Sequence, residues 1–400
     1  MKNFNYKARD TQDNKVKKGV VQANTENSAG KLLLERGYIP ISIEEIQEGS
    51  FMQRLNSRVP GKEKIVFTRQ FATLIGAGLP LAQSLRTISE QSTNKAMKFV
   101  VDDILASVES GKSLADAFGK HPEVFNKVYL ALIAAGEVSG TLDESLRRIA
   151  MQQEKDAAMM SKIYGAMTYP AIVLVVIILV VAFMLFTVVP QVEQLYRDLR
   201  QPLPTLTQIM VNMEQFIVNY WWLIIIVLVI VVLALRQYFK TEGGIRTADT
   251  IKLSFPMFNQ LFKRLYMARF ARTAQILLST GVAMLDTLRI SSDAVNNVVI
   301  AQSIDNAAEK VKSGKPLSES LKGEDYIMPF LPQMISIGEQ SGKIDEMLGK
   351  VAQVYEDELD EQIRVISTMI EPILMVFLAV VAGGMVGAIL FPIYALVNQI

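Results

Sequence analysis

From Ala171 to Val189 the chain runs AIVLVVIILVVAFMLFTVV without a charge, with Pro170 and Pro190 at its borders. About 20 helical residues, at roughly 1.5 Å each, cover the roughly 30 Å hydrocarbon core of a bilayer. A core helix of a soluble domain rarely needs so long an uncharged run, so this stretch predicts a membrane span at 170–190. A second predicted span, 217–235, opens on Tyr220-Trp221-Trp222 and is followed by Arg236. Aromatic rings at one edge and a cation at the other suit the two interfaces. The third runs from Pro372 to about Val397 within 370–397.

The cations set the expected orientation. Of 41 Lys and Arg residues, 23 precede residue 170 and 16 fall in 236–369, whereas the stretch 191–216 holds only Arg197 and Arg200. Short loops and span flanks carry this signal best, and Lys155, Lys162, Arg236 and Lys240 agree with the totals. The expectation is a multi-pass protein of the cytoplasmic membrane with 191–216 as an extracytoplasmic loop, the N-terminus inside and the C-terminus outside. The opening MKNFNYKARD lacks the apolar core of a signal peptide.

A duplication organises the rest. FTRQFATLIGAGLPLAQSL (67–85) matches FARTAQILLSTGVAMLDTL (270–288) at an offset of 203, and SGKSLADAF (110–118) matches SGKPLSESL (313–321) at the same offset. AAGEVSGTLDESL (134–146) meets SIGEQSGKIDEML (336–348) at 202, a register that carries Pro170 and Pro190 onto Pro372 and Pro392. Four collinear blocks mark a repeated unit. The middle span then returns the chain so that both copies lie on one side.

Apolar residues at spacings of three and four, as in Met97, Val100, Val101, Ile104 and Val108, predict about six helices per copy. The fold class is mainly α: two homologous helical bundles, 63–169 and 236–369, and three membrane helices. Thr141 with Glu144 predicts a capping box that opens a helix running into the first span. Residues 1–45 predict a small α/β segment, with strands at FNYKA, KKGVVQA and Tyr38–Ile43 and a helix at 25–36 closed by Gly37. Residues 46–62 read as a linker.

Catalytic chemistry is scarce. There is no cysteine, one histidine (His121) and a net charge of +1, which leaves no basis for thiolate chemistry, a multi-histidine metal centre or nucleic-acid binding. The GKS at 111–113 lacks the earlier glycine of a phosphate loop, Ala106 standing there, and its copy replaces the hydroxyl with Pro316. No cofactor is expected. Glu154 and Asp156, matched by Glu356 and Glu358, are the candidate divalent-cation ligands, against a solvated or partner-facing acidic surface; Asp360 of the second copy is Ala158 in the first. Gly383 and Gly387 form a GxxxG that permits close helix packing in the third span. Glu137 and Glu339 are expected to accept N–H groups at the start of the helix that follows each, or to face a partner. The spans carry no charge, which disfavours a secondary transporter, and 191–216 is short for a receptor's sensing domain.

The repeated GExSGxLDExL block (Gly136, Glu137 and Gly140; Gly338, Glu339 and Gly342), the Tyr169-Pro170 and Glu371-Pro372 span entries and the N-terminal segment resemble the type II secretion system F family over essentially the whole chain. The resemblance implies a non-enzymatic homo-oligomeric platform in the inner membrane of a type IV pilus or type II secretion machine. It further implies as partners a hexameric cytoplasmic assembly ATPase, pilin or pseudopilin subunits and inner-membrane accessory proteins. A divalent cation near the first span is a further implication for some members.

Overall fold

The computed structural model describes residues 2–10, 16–23, 26–35, 37–45, 59–198, 202–256 and 258–397. These pack as two units, residues 1–64 with 89–101 and residues 65–88 with 102–400.

In the first unit β1 (Lys2–Asp10) pairs antiparallel with β2 (Val16–Ala23) on one side and β3 (Tyr38–Glu45) on the other, and α1 (Glu26–Glu35) connects β2 to β3. The register with β3 slips between Lys7 and Ala8, where Ala8 faces Pro40. A proline cannot donate to the ladder, so it sits on an edge strand at a bulge. All three strands are longer than the sequence predicts, the central one most. Residues 46–58 of the expected linker, with Thr25 and Arg36, lie outside the described residues.

The first copy of the repeat follows in chain order as α2 (Gly61–Gly76), α3 (Leu81–Gln91), α4 (Lys95–Glu109), α5 (Leu114–Gly119), α6 (Lys127–Ser139) and α7 (Leu142–Phe183). Helix α2 thus begins inside the stretch read as linker. In the second unit Phe67, Phe71, Phe118, Phe125 and Tyr129 form an aromatic core with ring centroids 4.5–6.2 Å apart. Such rings contribute large buried areas plus edge-to-face attraction.

A single π turn, Met184–Val188, joins α7 to α8 (Val189–Asp198), so the helical path runs on past both prolines. The continuous helix expected from 141 into the first span is present as α7, whereas the expected end of that span at Pro190 is corrected, because the helical path continues beyond it. Pro170 is buried within α7. Pro190 follows the π turn, in which the Val189 N–H reaches back to the Met184 carbonyl; the widened turn relieves the clash a proline ring makes with the turn before it. The expected loop 191–216 is corrected with it. Helix α8 fills its first part and α9 (Thr205–Tyr238) its last, with a bend at Tyr220 just before the two tryptophans.

Next come α10 (Glu242–Ser254), with no counterpart among the described residues of the first copy, and then α11 (Asn259–Ser279), α12 (Met284–Val295), α13 (Val298–Lys312), α14 (Leu317–Leu321), α15 (Phe330–Ser341) and α16 (Ile344–Val397). The second copy has its own apolar core, from Leu253 to Ile366, and Met159, Ile163 and Ala166 of α7 pack against it. Among the described residues three helical stretches are long and apolar enough to cross a membrane: 142–198, 207–238 and 344–387.

Candidate functional site

The repeated signature is a packing device followed by a charge. Helix α6 ends at Gly140 and α15 at Gly342, both left-handed, and the N–H of each returns to the carbonyl of Gly136 or Gly338. This turn folds α7 and α16 back against the helices before them. The crossing is so close that a Cβ on Gly338 would lie 2.8 Å from the Ile344 Cα, and one on Gly136 2.5 Å from the Ser145 Oγ.

Glu137 and Glu339 sit on the last turns of α6 and α15, not in the turns themselves. Each carboxylate does accept helix-opening N–H groups, but those of the short helix about 22 residues earlier, not of the helix that follows. Glu137 accepts from Leu114 (2.8 Å) and Ala115 (3.2 Å) at the start of α5. Glu339 accepts from Leu317 (2.6 Å) and Ser318 (3.3 Å) at the start of α14, and from the Ser318 hydroxyl. Negative charge there satisfies donors the helix leaves open and complements its dipole. Thr141, before the following helix α7, makes no side-chain cap, and its hydroxyl meets the Ser139 hydroxyl at 2.7 Å. The predicted capping box is therefore absent, because Thr141, held by the glycine turn at φ −110° and ψ 41°, lacks the extended backbone of a cap.

The GKS segment resolves as a helix boundary. Ser113 caps α5 by accepting from the Asp116 N–H at 3.0 Å, so its hydroxyl is committed to the chain's own backbone. His121 lies 3.1 Å from Asp103 and 3.6 Å from Glu123.

Glu154 and Asp156 do not converge. Glu154 pairs with Arg69 at 3.1 Å, and Asp156 accepts from Gln152 one turn back on α7. Among the described residues no group of three His, Asp or Glu side chains is placed to hold a metal ion. A Cβ on Gly383 or Gly387 would meet nothing within 4 Å, so that face of the third span is open in the single chain.

Sequence reasoning missed a second constellation at the membrane-proximal stems, the parts of α7 and α16 that precede the spans. Arg272 grips Glu356 through two nitrogens, each 2.9 Å from a carboxylate oxygen. Lys155 of the first stem reaches the same carboxylate at 3.2 Å, and Lys162 reaches Asp360 at 2.6 Å. Arg148 of the first stem bonds the Ser279 hydroxyl. Farther out, Asp293 of α12 lies 2.6 Å from Lys127 of α6 and pushes that ammonium's pKa up, chiefly through the hydrogen bond. The stem of the first copy is thus bound to the body of the second. The signal was present: Arg69 and Glu154, and their matches Arg272 and Glu356, are kept together in both copies.

Known proteins match this chain along nearly its full length. The family model described as type II secretion system (T2SS), protein F, matches twice, at 67–190 and 270–392, and that of the protein F N-terminal domain matches 1–44. The type IV pilus assembly protein PilC of Thermus thermophilus is 34% identical over 405 residues, covering 99% of this chain and 98% of that protein. PilC of Myxococcus xanthus is 36% identical over 392 residues, covering 98% and 94%. Type II secretion system protein F of Vibrio cholerae is 30% identical over 401 residues, covering 99% and 98%.

Proposed function

The chain belongs to the type II secretion system protein F family, and from that premise we propose that it is the inner-membrane platform of a type IV pilus assembly machine. A cytoplasmic assembly ATPase docks on the helical copies, and the chain passes the motion to pilin subunits as they leave the membrane for the filament. The protein works as a homo-oligomer beside inner-membrane accessory proteins and catalyses no reaction itself. The two copies face the cytoplasm, with the N-terminus inside and the C-terminus outside.

The observation that carries this reading is the unbroken stem. Helix α16 runs from Ile344 through the whole third span to Val397, and its cytoplasmic part, up to Glu371, is roughly 40 Å long at about 1.5 Å per residue. A displacement of the second copy reaches the bilayer through one rigid element, without a hinge loop to absorb it. The first copy is built the same way through α7. A relative named as a type II secretion protein over the same full length supports a second reading, the equivalent platform of a secretion machine.

Deleting the gene separates the two. Under the pilus reading, surface filaments disappear while pilin is still made, and the intact gene restores them. If filaments persist and secreted proteins accumulate behind the envelope, the secretion reading replaces it. Reporters test the orientation: one fused after Arg200 is expected to be active only outside, and one at Gly243 only inside.

A further inference from the structure

The duplicated face that receives a stem in the second copy stands open in the first. Between α2 and α7 of the first copy lies a cleft of about 500 Å³, bordered by Arg69, Gly76, Arg147, Met151 and Glu154. Its counterpart in the second copy, between α11 and α16, holds Arg272, Ser279, Gly349 and Glu356 at the matching positions. There Arg148 and Lys155 of the first stem bind Ser279 and Glu356. Cover shows in the exposure of the two arginines: Arg272 is 14% exposed, and Arg69, with the same partner type, 71%.

The charges indicate what fits the open cleft. In the covered face position 349 is glycine, and the stem residue that docks is the cation Lys155. In the open face the matching residue is Arg147, which adds a positive charge, and the residue matching Lys155 on the other stem is Asp357. The docking residue has changed from cation to anion, and the receiving face has gained the cation Arg147 while keeping its arginine–glutamate pair as Arg69 and Glu154. Arg147 and Asp357 are exposed, and neither makes an ion pair or hydrogen bond among the described residues. The second stem of the same chain already presents Glu356 and Asp360 to the first stem; Asp357, one residue on, points about 100° away around the helix.

We propose that the cleft of the first copy receives the second stem of a neighbouring copy of this chain, with Asp357 of the neighbour against Arg147 and Arg69. The contact repeats between chains the docking made within each chain between α7 and the second copy. Each chain has one cleft and one free stem face, so the contact is head-to-tail, and the number of copies is set by where the rotation closes. The inference rests on the platform reading only for its biological setting, because its test reads contacts between copies of the full chain and needs neither an ATPase nor a pilin.

The chain has no cysteine, so introduced thiols are the sole reactive ones. The position matching Lys162 is Arg364 and that matching Asp360 is Ala158, which places residue 364 of one chain beside residue 158 of the next. Two differently tagged full-length chains, one Ala158→Cys and one Arg364→Cys, are co-expressed in membranes and treated with a short bis-maleimide. A cross-link joining the two tags is expected, and neither variant alone should give a linked pair. Absence of the mixed product overturns the proposal. Separately, Arg147→Asp and Asp357→Arg should each weaken self-association in detergent by roughly tenfold or more, and the double variant should regain most of it. Single variants that associate normally, or a double variant no better than the singles, would overturn the charge pairing. The cross-link, which leaves Arg147 and Asp357 unchanged, decides the matter should a charge variant fail to fold.

Discussion

Arg272 and Glu356 of the second copy lie under the first stem, 14% and 19% exposed, while Arg69 and Glu154 form the same pair in the first copy at 71% and 37%. The residues are the same and their surroundings are not. Duplication supplied two equal faces; one became an internal joint and the other stayed on the surface. The first copy spends its large aromatic side chains on its own core, whereas the second admits Met159, Ile163 and Ala166 from the other copy and adds α10. Helix α10 is tied in by the buried Asp249, which accepts from the Val298 N–H at 2.9 Å and thereby caps α13 beside Asn297.

The largest expected effect tests this asymmetry. Arg272→Ala leaves Glu356, four-fifths buried, with Lys155 as its remaining ion partner, and removing one member of a buried pair costs about 3 kcal/mol or more. Arg69→Ala removes an exposed pair and should cost under about 1 kcal/mol. Amide hydrogen exchange of the detergent-dispersed chain, read along α11 and α2, gives both numbers. Equal costs would break the comparison.

Much of this architecture is legible in the sequence, for identifiable reasons. Uncharged runs, helical spacing and the offsets of 203 and 202 are local or linear properties, so the spans, the repeat and the helical bundles could be read directly. The outer strands of the N-terminal segment declared themselves through the valines of KKGVVQA and the isoleucines of Tyr38–Ile43, and the helix between them through Gly37 at its end. Two kinds of feature could not be read. Prolines look like helix ends, yet at Pro190 a π turn accommodates the ring, and no residue type announces a π turn. Partners distant in sequence are equally hidden: nothing near Glu137 says that its donors are Leu114 and Ala115, because that contact exists only once α5 and α6 pack together. The Lys155–Glu356 contact spans 201 residues; only the joint retention of Arg and Glu in both copies hinted at the pairs beneath it.

An intermediate effect separates the two signature glutamates. Helix α5 has two side-chain caps, Ser113 and Glu137. Helix α14 begins after Pro316, which has no hydroxyl, so Glu339 alone holds its first N–H groups by a side chain from outside the helix. Glu339→Ala should therefore cost about 2 kcal/mol and Glu137→Ala about 1 kcal/mol. Protection of the Leu317 and Leu114 amides measures each. Filament assembly, scored in the same strains, should fall in proportion to lost protein. A stable, normally expressed Glu→Ala variant without filaments would mark that carboxylate as a partner contact instead.

The smallest effect lies where the two stems meet, and its smallness is the point. Lys162 and Asp360 are 2.6 Å apart, but both side chains are about half exposed. Water and side-chain entropy leave such a pair with roughly 0.2–1 kcal/mol. Lys155 meets a carboxylate that is only 19% exposed and should couple more strongly. Double-mutant cycles on Lys162–Asp360 and Lys155–Glu356, read from exchange along the α7 stem, are expected to rank them in that order. At about 1 M salt, where the screening length falls to roughly 3 Å, the outer coupling should vanish and the inner one persist. The outer pair then acts on alignment more than on strength. Asp360 has no acidic match in the first copy, where Ala158 stands, and among the described residues Lys162 finds its anion on the second stem, in the register that also brings Lys155 to Glu356. A coupling above about 2 kcal/mol at Lys162–Asp360 would instead make this pair a clamp, and the stems would be fastened at the membrane edge as firmly as at the buried arginine.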